Sequence, residues 1–501
     1  MIDVPGTGIT PAKMQIRESR VCALLALVWV QATACGSATD SGPDGRAGGN
    51  ATVAGSPGNF ATGGAPSGAP GGVAGMSTSA GAGNAGGRAG NTAGAGTSAG
   101  AGGIIGAGGA AAAGAGAAGA GVAGAGGRGG VAGSPGTGSA GAGSGSAGGS
   151  STADGTGAPE DTPKGYGQAT TGGGKAKAVT VATYAAMQAA VDAYSGSGGL
   201  VLEYSGKFDF TSIEDPCVQH TLAAQTLEIK SKSDITILGA AGSGANFGIH
   251  VAAAASNVII RNMTIGLLPG GSDSDIISIE GMSAGVPKNI WIDHNEFFSS
   301  MAVCAGAGDT AFDGMLDVKK GADMITVSYN YMHDHHKVSL NGYTDGDDAV
   351  RHITFHHNLF ENIGSRVPLQ RHGYSHVVNN FFSKVEASGI NVRMGGYALV
   401  EANYFENVKN PVTARDSSAV GFWDLRNNNL ASAADVAPGN KFGITWDDGN
   451  SGTVNATSWT TTAAYPVALG YTLAADPAQC VHDGLRAAAG ANKDLRTLKC
   501  K

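Results

Sequence analysis

A short pattern of polar and apolar positions recurs in the later part of the chain. A strand-like run of β-branched or apolar residues is followed by Asn, any residue and an apolar residue, at Asn295-Glu296-Phe297, Asn330-Tyr331-Met332, Asn358-Leu359-Phe360, Asn380-Phe381-Phe382 and Asn403-Tyr404-Phe405. The last two repeats begin 22 and 23 residues after the one before. A period in this range, with little helical periodicity, is typical of a solenoid.

We predict that this solenoid is a parallel β-helix, in which each coil stacks its short strands on those of the next coil. Successive asparagines at one turn can then form a hydrogen-bonded ladder, and the aromatic residues after them can stack inside. A β-sandwich is the alternative, but it would show turn signals about every 8–12 residues with clean alternation. The one helical pattern, Tyr184–Ala193, is expected to cover the open end of the coil.

Composition divides the 501 residues into two regions. Residues 36–165 are almost entirely Gly, Ala, Ser and Thr, and we predict a disordered linker because such a segment cannot bury enough apolar surface to fold. Residues 166–501 are expected to form one elongated all-β domain. Residues 1–165 hold seven acidic and seven basic side chains, so the net charge of −8 belongs to this domain and argues against a nucleic acid partner.

The N-terminus has the pattern of an export signal. Arg17 and Arg20 precede the apolar run Val21–Val30, which is too short to span a membrane, and small residues lead to Cys35. We predict a signal peptide over residues 1–35 of the bacterial lipoprotein type, with a lipid anchor on Cys35, although ordinary signal cleavage nearby is the alternative. The protein is then secreted or an outer-surface lipoprotein of a bacterium.

Four cysteines remain for the exported domain: Cys217, Cys304, Cys480 and Cys500. In an oxidising compartment they predict two disulfide bonds, for which three pairings are possible. A bond between Cys480 and Cys500 would be local and would hold the C-terminal segment. No Cys-x-x-Cys spacing in this domain indicates a zinc site.

Acidic residues form the first candidate site. Asp273 and Asp275 lie two residues apart, and Asp313 and Asp317 lie four apart. Clustered carboxylates without cysteine suit a hard cation that takes oxygen ligands. A solvated acidic surface is an equally open interpretation of four aspartates.

Basic residues and histidines follow the acidic ones. Arg366 and Arg371 flank a proline, after Lys337, and two guanidinium groups on one rigid segment suit bidentate binding of carboxylate or phosphate. Surface salt bridges are the alternative. The histidines between His333 and His376 suggest transition-metal ligands, but several lie beside the repeat asparagines, where ring stacking is the simpler interpretation.

Taken together, the domain resembles polysaccharide lyase family 1, the extracellular pectate lyases, from about Gly167 to the C-terminus. The matching segments are Arg261-Asn262-Met263-Thr264-Ile265-Gly266, Trp291-Ile292-Asp293-His294, Val318-Lys319-Lys320-Gly321-Ala322, Val327-Ser328-Tyr329-Asn330, Arg366-Val367-Pro368-Leu369-Gln370-Arg371, Gly389-Ile390-Asn391-Val392-Arg393 and Asn410-Pro411-Val412-Thr413. Their combination in this order is more specific than any one segment.

The resemblance implies a right-handed parallel β-helix and a calcium-dependent enzyme that cleaves polygalacturonate by β-elimination. Four residues correspond to the Ca²⁺ ligands of the family: Asp273, Asp275, Asp313 (Glu in some relatives) and Asp317. Lys337 and Arg371 correspond to the residues that bind the substrate carboxylate, and Arg366 to the base. Cys217 and Cys304 stand where relatives carry a disulfide bond.

Other functions are less well supported by these residues. A hydrolase of the same fold would need paired carboxylates and a water molecule at the scissile bond. A pectin lyase would act on methylated polymer without calcium. A non-catalytic β-helix adhesin would not need Arg366, Lys337 and Arg371 together with four aspartates. We expect a monomer.

Overall fold

The computed structural model describes residues 157–159, 161–271, 274–447 and 456–500. Within these residues the strands, numbered in chain order, form three sheets. The helices are α1 (Tyr184–Ala193), α2 (Pro216–Gln219) and α3 (Ala478–Ala488), with short 3-10 helices at Phe210–Ser212 and Ala433–Asp435. No helix of the described part is long and apolar enough to cross a membrane.

The first sheet contains β1 (Val179–Val181), β2 (Leu200–Tyr204), β4 (Ser233–Gly239), β6 (Ser256–Arg261), β9 (Lys288–Asp293), β12 (Asp323–Ser328), β15 (His352–His356), β18 (Tyr374–Val378), β21 (Tyr397–Glu401) and β24 (Phe422–Arg426). The second contains β7 (Thr264–Gly266), β10 (Glu296–Phe298), β13 (Tyr331–Lys337), β16 (Leu359–Ser365), β19 (Phe381–Val385) and β22 (Tyr404–Val408). The third contains β3 (Thr226–Lys230), β5 (Gly248–Ala252), β8 (Ile277–Glu280), β11 (Leu316–Lys319), β14 (Leu340–Asn341), β17 (Leu369–Arg371), β20 (Ile390–Arg393), β23 (Val412–Ala414) and β25 (Ala456–Thr457).

Each full coil adds one strand to each sheet, and the strands of neighbouring coils pair in parallel. Strand β12, for example, lies between β9 of the preceding coil and β15 of the next one. Strand β25 is the exception in the described part, because it pairs antiparallel with β23. The predicted right-handed parallel β-helix is therefore confirmed.

The predicted asparagine ladder is present at the turn between the first and second sheets. The side-chain oxygen of Asn330 accepts the backbone N–H and the side-chain N–H of Asn295, at 2.9 Å each. The same two bonds join Asn330 to Asn358, and the ladder continues through Asn380 and Asn403. Because these asparagines are buried, each bond satisfies a polar group that would otherwise be costly to bury.

Left-handed backbone makes the turn at this ladder sharp. The residue before each ladder asparagine has a positive φ, for example 50° at His294, 50° at Tyr329 and 54° at His357. Such a conformation costs roughly 1–2 kcal/mol per non-glycine residue, so it persists only where the surroundings enforce it. The rings of these three residues stack on one another with centroids 4.7 and 4.8 Å apart, which confirms the stacking interpretation for His357.

The core of the coil is a column of stacked apolar side chains. Phe360, Phe382 and Phe405 occupy matching positions in successive coils, and their rings are nearly parallel with centroids 5.1 and 4.8 Å apart. All three are fully buried. Burial of each such side chain contributes roughly 1.5–3 kcal/mol, so the repeating pattern accounts for much of the coil's stability.

Helix α1 covers the N-terminal end of the coil, as predicted. It buries Met187 and Val191, while the side chain of Gln188 faces the edge strand β3. The Gln188 amide accepts the backbone N–H of Glu228 at 2.8 Å and donates to its carbonyl at 3.3 Å. The side chain thus satisfies backbone groups that a sheet edge would leave open to another strand.

Two disulfide bonds join peripheral segments to one another, and both predicted pairs are confirmed. Cys480 in α3 is bonded to Cys500, and Cys217 in α2 to Cys304. Ordered packing on the coil also includes residues before the predicted domain start at 166. The hydroxyl of Thr326, on β12, donates to the carbonyl of Lys164 at 2.9 Å.

Candidate active site

Three of the four predicted cation ligands lie together at the start of strands β8 and β11. Asp275 precedes β8, and one of its oxygens accepts the N–H of Gly314 at 3.1 Å. Asp317 lies on β11, is 4% exposed, and accepts the N–H of Leu340 at 2.9 Å. The Nζ atom of Lys319 is 2.5 Å from Asp275 and 3.7 Å from Asp317. The fourth predicted ligand, Asp273, lies outside the described residues.

The electrostatics of this acidic cluster favour a cation. Burial and the charge of Asp275 raise the pKa of Asp313 to about 7, and the same two causes raise the pKa of Asp317 well above its usual value. Burial alone would lower the pKa of Lys319, but Asp275 and Asp317 raise it. One lysine therefore balances only part of the negative charge, and the oxygen donors that remain are the type that a hard divalent cation takes.

In the described residues, the type of donor atom suits a metal ion, but the donor atoms are not arranged around a common point. Within residues 157–159, 161–271, 274–447 and 456–500, no three His, Cys, Asp or Glu side chains are arranged around one point as ligands. The ammonium group of Lys319 lies within 4 Å of two of these carboxylates, those of Asp275 and Asp317. The donor set nevertheless fits calcium because it consists of carboxylate oxygens, the ligands that a hard cation takes.

A cationic group lies directly beside the acidic cluster. Lys337 ends β13 and is in register with Ser365, the residue before Arg366. The charges of Lys337 and Arg366 both act on Asp313. Burial, and then repulsion from Arg366, lower the pKa of Lys337 despite an ion pair with Asp309 at 3.6 Å. The structure therefore places Lys337 and Arg366 near the acidic cluster.

Arg371 extends the cationic group along the third sheet. It lies on β17 in register with Arg393 on β20, so the two guanidinium groups are one coil apart. Burial, followed by repulsion from Arg371, lowers the pKa of Arg393 to about 9. Sequence reasoning named neither Arg393 nor Lys319 as a site residue. Both belong to segments that carry the family resemblance, and that resemblance could have identified them as site residues.

The loop before β11 carries Asp313 and is held from outside the coil. The Cys217–Cys304 disulfide bond ties it to α2, and the buried Phe312 packs with Cys304 and Leu267. A carboxylate on a free loop would lose entropy on binding a cation. These contacts reduce that loss because they fix the backbone next to Asp313 in advance.

A charged row on the same sheet gives the fold a pH dependence. His250 lies 3.0 Å from Glu228 and 3.6 Å from Glu280. Burial lowers the pKa of His250, but the two carboxylates raise it to about 9 in the folded protein. A raised histidine pKa stabilises the fold fully below about pH 6.5, and this contribution is lost as the pH rises through 9.

We therefore expect the free energy of unfolding in chelator to fall by up to about 3 kcal/mol between pH 6 and pH 9.5 because of His250. The measurement is urea unfolding of the wild type and His250→Gln at both pH values. The variant should show a shallower decline. Identical declines in the two proteins would show that the His250 pairs do not contribute.

Comparisons with known proteins agree with this geometry. The sequence profile named pectate lyase matches residues 135–494. Pectate lyase 3 of Pectobacterium carotovorum subsp. carotovorum is 42% identical over 353 residues, which is 66% of this chain and 91% of that protein. The structure of pectate lyase II from Xanthomonas campestris pv. campestris matches with a TM-score of 0.63 and 55% identity, over 66% of this chain and 99% of that one.

A third relative has been solved with ligands. Pectate lyase C from Erwinia chrysanthemi, in a structure with Ca²⁺, matches with a TM-score of 0.62 and 36% identity, over 68% of this chain and 99% of that one. A variant of pectate lyase C is in complex with pentagalacturonic acid, with the same values. Fold, site and relatives together define a polysaccharide lyase built on a parallel β-helix. The chain belongs to the pectate lyase family.

Proposed function

We propose that the protein is a calcium-dependent pectate lyase that cleaves α-1,4-linked polygalacturonate by β-elimination and leaves 4,5-unsaturated oligogalacturonides. The observation that carries the proposal is the position of a cationic group beside an acidic cluster, with the charges of Lys337 and Arg366 acting on Asp313. Asp275 and Asp317 also belong to the acidic cluster, and Arg371 to the cationic group. Pentagalacturonic acid bound to pectate lyase C supports an anionic polymer as the substrate.

The acidic cluster is the proposed calcium site. Asp275, Asp313 and Asp317, with Asp273 from outside the described residues, would hold the ion. An ion held by these residues would withdraw charge from the uronate carboxylate and so make the C5 proton of the sugar more acidic. The partly buried Lys319 limits repulsion among the carboxylates while no cation is bound.

The cationic group binds the substrate's carboxylate and removes the C5 proton. Lys337 and Arg371 bind and neutralise the carboxylate as negative charge develops on it. Arg366 removes the C5 proton, the C4–oxygen bond breaks, and a C4–C5 double bond forms. The departing oxygen gains one proton for the one that C5 loses, so the reaction balances without the consumption of water.

An arginine is an unusual base because its guanidinium group is normally always protonated. A guanidinium group acts as a base only after it has lost its proton, and Arg366 lies close enough to Lys337 and Arg393 for its charge to repel theirs. We therefore expect an alkaline optimum. A rate that peaks below neutral pH would count against Arg366 as the base.

Ultraviolet absorbance of the full chain mixed with polygalacturonate tests the proposal directly. With calcium, absorbance should rise as the C4–C5 double bond forms, and a chelator should abolish the rise. New reducing ends without absorbance would indicate a hydrolase instead. Binding of the polymer without either signal would indicate a non-catalytic adhesin.

We also propose that the chain is exported, as a monomer, and anchored by a lipid on Cys35. The proposal rests on the sequence alone, because residues 1–35 lie outside the described part. Mass spectrometry of the mature N-terminus tests it. A lipid-modified Cys35 would support the anchor, and an unmodified N-terminus at another residue would contradict it.

A further inference from the structure

A carboxylate of the chain itself lies on one of the proposed substrate-binding residues. One oxygen of Asp345, in the loop between β14 and β15, accepts a hydrogen bond from Nε of Arg371 at 2.8 Å. Its other oxygen accepts the N–H of Ser418 at 3.2 Å and the hydroxyl of Ser418 at 2.8 Å. Asp345 is 36% exposed, whereas Arg371 is 5% exposed. The contact therefore lies on the solvent side of Arg371, where a polymer would approach.

Hydrogen bonds within its loop hold Asp345 in position. Nη1 of the buried Arg351 donates to the carbonyl of Arg371 at 3.0 Å, and Nη2 donates to the carbonyl of Asp347 at 2.9 Å. The carboxylate of Asp347 in turn accepts the N–H of Tyr343 at 2.8 Å. These bonds hold the loop on both sides of Asp345, so the position of its carboxylate is fixed.

Asp345 is negatively charged at any pH at which the enzyme would work. Burial raises its pKa, but the hydrogen bonds from Arg371 and Ser418 lower it below its usual value. Its charge also acts on Arg393, the neighbour of Arg371 in the next coil. Asp345 therefore neutralises part of the positive charge that Arg371 and Arg393 present.

We propose that Asp345 is a specificity-determining residue that competes with substrate carboxylates for Arg371 and so narrows the preference for fully charged over partly methyl-esterified galacturonan. This inference rests on the proposed function. A charged uronate at Arg371 meets repulsion from Asp345, whereas an uncharged methyl ester does not. The fixed acid thus penalises the most highly charged polymer more than an esterified one.

The test is Asp345→Asn, which keeps the size of the side chain and an oxygen acceptor for Arg371 but removes the charge. KM for polygalacturonate should fall about two- to fivefold, the range expected from a partly exposed ion pair. KM for highly methyl-esterified pectin should change less, and KM for polygalacturonate should rise more steeply with salt than in the wild type. Asp348→Asn, three residues along the same loop and exposed, is the control with an equal change in net charge.

Three results would overturn the inference. A higher KM or a lower kcat in Asp345→Asn would show that Asp345 only orients Arg371. An equal fall of KM in Asp348→Asn would show a general effect of surface charge. An unchanged KM, with the wild type active, would show no competition and would leave the proposed function intact.

A binding measurement separates this inference from the lyase reaction. In an Arg366→Ala background, Asp345→Asn should migrate more slowly than Asp348→Asn through a gel that contains polygalacturonate. Equal migration would overturn the inference. Absence of unsaturated product from every variant would instead contradict the proposed function, and the inference with it.

Discussion

Replacement of Arg366 by Ala is expected to lower kcat on polygalacturonate by about 10³-fold, with a much smaller change in KM. A positioned base typically contributes about 10²–10⁴-fold, and Arg366 is the residue proposed to remove the C5 proton. The backbone of Arg366 is already left-handed, with φ of 65°, so alanine there adds little strain beyond that of the arginine. The measurement is the initial rate of absorbance increase at saturating calcium.

Arg486→Ala is the control for this prediction, because Arg486 is exposed and pairs with Glu361 at 2.6 Å away from the proposed site. Its rate should equal that of the wild type. Added guanidine should restore part of the activity of Arg366→Ala, and the restored rate should rise with pH as the neutral form becomes available. If Arg366→Ala raised KM and left kcat unchanged, Arg366 would be a residue that binds substrate and not the base.

The second large effect is expected for Asp317→Asn, which should weaken calcium binding at least about 100-fold. The side chain is buried in the acidic cluster, so removal of its charge removes a central part of the attraction for the cation. Burial and Asp275 raise the pKa of Asp317, which means that its ionised form destabilises the fold when no cation is present. The variant should therefore melt at a higher temperature than the wild type in chelator.

Isothermal titration with calcium and thermal melting with and without chelator measure both parts of this prediction. Asp494→Asn, on an 80% exposed side chain, is the control and should change neither quantity. Calcium binding of wild-type strength in Asp317→Asn would remove this residue from the proposed ligand set. A lower melting temperature in chelator would show that the carboxylate stabilises the fold without a cation.

Much of the coil could be predicted because its stabilising contacts repeat along the chain. The asparagines from Asn295 to Asn403, and the apolar residue two positions after each, occur where the structure has its ladder and its column of rings. The ladder also continues to Asn428, which the prediction did not include. Asn428-Asn429-Leu430 has the same spacing, so this repeat was visible in the sequence as well.

The site was predicted only in part. Its aspartates and cations were named from their segments, and the structure brings Asp275, Asp313 and Asp317 together with Lys337 and Arg366. Lys319 and Arg393 were not named, although both lie in matching segments. Their importance depends on burial among neighbours of like or opposite charge, and burial of a single polar side chain is not visible in a local pattern.

The sequence by itself determined the type of coil, its capping helix and the kinds of residue that form the site, because these depend on short repeats and on residue chemistry. Only the tertiary structure decided that Asp345 reaches Arg371, 26 residues away, and Ser418, 73 residues away. Contacts of this kind join loops that leave the coil at different points. Such loops do not follow the sequence repeat of the coil. The neighbours of their side chains are therefore set by the way each loop folds over the sheet.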